Sequence, residues 1–134
     1  MKTLKSLIRI HNNNIDELLL SINKLKSNQE ENEGSIDFLT QEKLNEIDNY
    51  RDTKYVIDLS QYLERVERKL RDLYSIRANL ARKIQMKQNE LFVQFQEVKR
   101  LEIILKKKEQ ELRAELVKQE GKILDEFSIN KFTQ

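Results

Sequence analysis

Apolar side chains recur along the first third of the chain in alternating steps of four and three. Leu4, Ile8, His11, Ile15, Leu18, Ile22, Leu25, Gln29 and Asn32 trace a heptad seam, and Leu7 and Leu19 broaden it. The stripe thins at "SNQEENEGS", where Gly34 and Ser35 are poor helix-interior residues. It resumes at Ile36, Leu39, Leu44, Ile47 and Tyr50, about one residue out of phase. This predicts one helix over about 3–52 with a soft point at Gly34. A true reversal at that glycine, giving three helices in all, is the alternative.

The next break is sharper. "RDTKYVI" (51–57) has no heptad phase and clusters β-branched residues, so the connection is placed at about 53–58. Asp58 has the features of an N-cap, Gln61 completes a capping box, and Ile57 with Tyr62 forms the pair of a hydrophobic staple. A second helix is therefore predicted over about 59–128. Its seam runs Leu59, Leu63, Val66, Leu70, Leu73, Ile76, Leu80, Ile84, Leu91, Val98, Leu101, Leu105 and Leu112, interrupted by Lys87, Gln94 and Lys108. Leu116, Ile123 and Phe127 extend a thinner stripe. At 1.5 Å per residue the two helices are about 75 Å and about 105 Å long. A short connection between long amphipathic helices favours an antiparallel hairpin. Position i then faces about 110 − i, and roughly 20 residues of the second helix overhang. The expected fold is all-α: an antiparallel two-helix coiled-coil hairpin, a single domain over 1–134 with a longer, overhanging C-terminal helix.

Composition supports the thin architecture. Hydrophobic residues make up 38% and charged residues 36%, against roughly 45–50% and 25% in globular domains. There is no proline and there are two glycines, so little interrupts a helix. No cysteine is present, which excludes disulfides and thiolate metal sites. The longest apolar runs are three residues, "LLL" at 18–20 and "IIL" at 103–105, far from the ~20 needed to span a bilayer. The opening "MKTLKSLIRIH" lacks the apolar stretch of a secretory signal. Residues 1–60 hold 8 Lys/Arg and 11 Asp/Glu, and residues 61–134 hold 17 and 12. Oppositely biased halves favour folding back, an orienting effect more than a stabilising one.

Catalysis finds no support. His11, the one histidine, sits on the seam and is expected to set register. Neither glycine lies in a phosphate loop, and the carboxylates decorate solvent faces. No catalytic residue, metal ligand or cofactor is expected. The basic stretches "VKR" (98–100) and "KKK" (106–108) are interleaved with Glu102, Glu109 and Glu111, as on a solvated salt-bridged face, so no nucleic-acid partner is expected. The face of Leu4, Leu7, Ile8, Ile15 and Leu18, edged by Lys2, Lys5 and Arg9, could lie on an anionic bilayer. Because its pattern continues to Leu25, packing on the second helix is the better account, and no direct membrane insertion is expected. Protein–protein contact remains, with the rings at Tyr50, Tyr55 and Tyr62 as binding candidates or as local packing.

Four stretches carry a family resemblance: "MKTLKSLIRI" at the start, Tyr50–Arg51 before the connection, "SQYLERVERKL" opening the second helix, and "KQEGKILDEFSINKF" in the tail. In their order and spacing they resemble the FliJ family of the bacterial flagellar type III export apparatus. The stalk proteins of virulence secretion systems share the layout and remain an alternative, as does a self-associating coiled-coil scaffold. The resemblance implies a non-enzymatic coil similar to the central shaft of rotary ATP synthases. Its implied partners are the export ATPase ring, the cytoplasmic domain of the export gate and export chaperones. Its implied place is the cytoplasm, peripheral to the membrane-bound apparatus. Carried over by position, the gate-binding patch falls on Tyr50, Tyr62 and Val66, with Ile47 as a neighbour, and Glu46 stands where the family has an aromatic. The ATPase ring would meet Leu116, Ile123 and Phe127. A hairpin whose seam is satisfied internally predicts a monomer, whereas an open helix predicts a parallel dimer.

Overall fold

Helix α1 runs Lys2–Thr53 and helix α2 runs Val56–Thr133. The computed structural model describes residues 1–53 and 56–133, with side chains for 1–51 and 59–131. Both elements follow from a chain rich in strong helix formers with nothing to break them. α2 begins at Val56 rather than Leu59, so Asp58 falls inside the helix instead of at its N-cap. With neither proline nor glycine nearby, helical backbone extends past the strongest local cap signal. Tyr55 and the side chains of Ile57 and Asp58 lie outside the described residues.

The two helices pack against each other, and their contacts fall in two compact units: Met1–Ile15 with Phe92–Gln134, and Asp16–Leu91. Within the second unit, Lys43 pairs with Glu67 and Glu33 with Arg77. Ten residues back along α1 thus match ten residues forward along α2, as antiparallel helices require. These two long-armed pairs fit the expected 110 − i, whereas Asn32–Leu73 and His11–Gln94 fit 105 − i. Ile36, Val66 and Leu70 form a buried cluster there, with Leu39, Tyr62 and Leu73 packed around it.

The seam runs through Gly34 without a slip. Gln29, Asn32, Ile36 and Leu39 keep the four–three alternation, and all are buried or half-buried. α1 therefore neither reverses nor changes phase at the glycine. Five expected apolar positions do face solvent: Leu7, Leu19, Leu44, Ile76 and Leu112. Lys43 and Arg77 occupy the seam places adjacent to Leu44 and Ile76. Their aliphatic stems cover the seam while their charged ends reach carboxylates beyond it.

Polar groups punctuate the seam in both units. Asn32, the buried polar residue at 7% exposure, donates from Nδ2 to the Leu73 carbonyl at 3.0 Å. Arg77 grips Glu33 with two parallel bonds, Nε to Oε1 at 2.5 Å and Nη2 to Oε2 at 2.7 Å. Arg77 also lies over the Tyr74 ring, 5.2 Å from its centroid. In the other unit His11 Nδ1–H donates to Gln94 Oε1 at 2.7 Å. The expected role of His11 as a polar register element matches this geometry.

A Cβ at Gly34 would meet nothing within 4 Å. Gly34→Ala is therefore expected to stabilise the protein by roughly 1 kcal/mol, read from thermal or urea unfolding. The hydrogen bond and charge of Arg77 hold the Glu33 carboxyl below its ordinary value of 4.5, and Lys43 does the same for Glu67. A depressed carboxylate contributes stability that is present above the unfolded pKa and lost as pH falls through the folded one. Melting temperature is expected to fall on acidification below pH ~4.5, and Glu33→Gln should make that fall shallower while lowering the neutral-pH melting point.

Candidate functional site

The residues assigned to a gate-binding patch stand near the connection, at the end of α1 and the start of α2. Ile47 and Tyr50 are half-buried on α1, and Tyr62 is half-buried on α2. Val66 is buried at 4% exposure within the Ile36–Leu70 cluster. It supports Tyr62 from below and offers no surface of its own. The structure thus splits the four: three partly open apolar side chains and one core residue.

Tyr62 has an unusual setting. Its ring packs against the buried cluster, which gives it a structural role. Its hydroxyl is shielded from solvent yet has no hydrogen-bond partner among the described residues. Burial raises its pKa, and the negative charges of Glu42 and Glu46 on α1 raise it further. The group is thereby held as a neutral O–H donor. Buried polar atoms are nearly always bonded, so a hydroxyl of this kind at the edge of a core is accounted for by strain, an ordered water or a partner group.

The residues expected to meet an ATPase ring lie on a different kind of surface. From Gln110 to Lys131 every residue of α2 is exposed except Gly121. Leu116 is 50% exposed, Ile123 65% and Phe127 66%. Leu112, which seam counting assigned to the hairpin core, is likewise exposed. Val117 and Leu124, unremarked in the heptad pattern because they fall off its stripe, add to the same apolar surface. Among the described residues no second element packs against these side chains, so they form an exposed apolar strip and not a pocket. Among the described residues no group of His, Asp or Glu side chains could hold a metal ion. Nor is any helix long and apolar enough to cross a membrane.

A family model described as "Flagellar FliJ protein" matches residues 1–134, the whole chain. No curated protein and no solved structure matches.

Removing the orphan hydroxyl separates the two roles of Tyr62. Tyr62→Phe is expected to leave helicity unchanged and to raise stability by roughly 1 kcal/mol. Tyr62→Ala is expected to cost about 2 kcal/mol through lost packing, and circular dichroism through a melt reads both.

Proposed function

Since the chain belongs to the FliJ family, a family of flagellar type III export stalk-type proteins, we propose that it couples the export ATPase ring to the cytoplasmic domain of the export gate. The family is a non-catalytic component of export, and the contribution of this chain is mechanical. Assistance to export chaperones belongs to the same proposal, as does a cytoplasmic position peripheral to the membrane-bound apparatus.

The observation that carries the reading is the unpaired stretch of α2. A protein that worked alone would have little reason to keep Leu112, Leu116, Val117, Ile123, Leu124 and Phe127 in water on one helix. Such a strip suits contact with an enclosing protein surface, where buried aromatic and aliphatic anchors supply most of the binding energy. Because these side chains support nothing in the free chain, they can be spent on a partner without loss of fold.

At the proposed gate-facing patch, Ile47, Tyr50 and the ring of Tyr62 offer partly exposed apolar surface, and the Tyr62 hydroxyl is a shielded group without a partner among the described residues. A partner carbonyl or carboxylate would satisfy that hydroxyl once the side chains that shield it move aside. Val66 acts through Tyr62 as a positioning residue.

Purified protein is expected to stimulate ATP hydrolysis by the cognate export ATPase and to bind the gate's cytoplasmic domain. Leu116→Ala with Phe127→Ala should weaken the ATPase contact by about 30-fold or more with unchanged circular dichroism. Tyr50→Ala should weaken gate binding and leave ATPase stimulation intact. Wild-type protein that neither stimulates the ATPase nor binds the gate domain would sink the proposal.

A further inference from the structure

We propose that the unpaired part of α2 also binds a second copy of this chain, antiparallel to itself, through residues 112–123. Up to Leu105 the seam of α2 faces α1 in strict heptads: Leu91, Gln94, Val98, Leu101 and Leu105. Beyond it the stripe advances through Glu109 to Leu112, Leu116, Gln119 and Ile123. Two four-residue steps in succession, at 101–105 and 105–109, amount to a stutter. The heptad pattern then restarts with its own phase on a stretch of α2 where, among the described residues, nothing packs against this face. Leu112, Leu116 and Ile123 are 47%, 50% and 65% exposed.

In an antiparallel pair each a position packs against a d position of the other helix, and flanking positions meet their own kind. Here Leu112 and Gln119 take d, and Leu116 and Ile123 take a. Leu112 then meets Ile123 of the second copy, and Leu116 meets its Gln119; two-fold symmetry repeats both layers. The flanks are Glu115 and Lys122 on one side, Arg113 and Glu120 on the other. In this register Glu115 meets Lys122 of the second copy and Arg113 meets its Glu120, so all four flanking contacts join opposite charges. A parallel pair would instead set Glu115 against Glu120 and Lys108 against Arg113, like against like. The charge order therefore selects one orientation of one occupant, this same helix reversed.

The pairing is self-limiting. One layer further out, Glu109 would face Glu126 of the second copy, so contact stops after four layers. An interface that small falls below the standard size for a stable complex, which predicts a dimer that forms at high concentration and dissociates on dilution. Self-pairing needs neither ATPase nor gate, and it stands whether or not the coupling role does. Where both hold, a ring and a second copy compete for Leu116 and Ile123.

Sedimentation of the full chain over a range of concentrations should show a reversible monomer–dimer equilibrium. Glu115→Lys alone, or Lys122→Glu alone, should weaken the dimer about tenfold, and the double exchange should restore it to within about threefold. The chain has no cysteine, so Leu112→Cys and Ile123→Cys can be introduced cleanly. A mixture of the two single variants should give the mixed disulfide on oxidation, while neither variant alone cross-links efficiently. A full chain that stays monomeric at all concentrations overturns the proposal, as does homodisulfide formation by Leu112→Cys alone. So would a monomeric chain whose charge exchanges change only ATPase stimulation, since the occupant would then be the ring.

Discussion

Everything in this protein depends on a single seam between two helices. A two-helix coil has no second layer, and among the described residues no side chain is wholly enclosed. Its apolar contacts are therefore similar to one another, and sliding one helix past the other by a heptad would recover most of them. Polar contacts break that near-degeneracy. Asn32 reaches the Leu73 carbonyl, His11 reaches Gln94, and Glu33 and Lys43 close on Arg77 and Glu67. Displacing the register by a heptad would part His11 from Gln94, Glu33 from Arg77 and Lys43 from Glu67, whose partners are side chains at single positions. The main-chain acceptor of Asn32, by contrast, recurs at every heptad. Packing supplies the adhesion and a few polar side chains supply the alignment.

Under the proposed coupling role alignment matters, because a coupling element must transmit position. If the helices could slide, a displacement at one contact would be absorbed within the coil instead of passed along it. Within the second unit, Glu33–Arg77 and Lys43–Glu67 share one register, and Asn32 sits inside the same stretch. Tyr62 belongs to this logic as well. Its ring is held by the cluster of Ile36, Val66 and Leu70, so the position of its hydroxyl oxygen is set by the seam itself.

Much of the fold was legible because long helices leave a periodic trace. Both helices, their antiparallel facing relation and the polar role of His11 could be read from spacing alone. Errors clustered where apolar counting met long polar side chains. Leu44 and Ile76 look like seam residues, yet Lys43 and Arg77 hold the adjacent places, because their stems are apolar and their ends find carboxylates. Gly34 looked like a break, but one glycine costs about 1 kcal/mol in a helix, less than the packing on either side of it. The candidate site was less legible. Spacing can assign Val66 and Tyr62 to neighbouring seam positions, but it cannot say that one lies beneath the other. Nor can it show an unpaired hydroxyl, which depends on what faces it from α1.

The stretch beyond Leu105 shows why pattern and partner must be separated. Leu112 continues the stripe on paper, and heptad counting therefore extended the hairpin core to it. Physically the stripe changes phase there, through two successive four-residue steps, at the point where α1 has run out of residues to offer. A stripe kept only for hairpin packing would have no use for leucine, isoleucine and phenylalanine beyond that point, since each exposed apolar side chain adds a solubility cost and buries nothing. Their persistence, flanked by charges whose order discriminates between orientations, is what the two proposals of contact outside the hairpin account for. The seam that builds the fold and the strip proposed for association are thus the same helix read in two phases, and the stutter at 105–109 divides them.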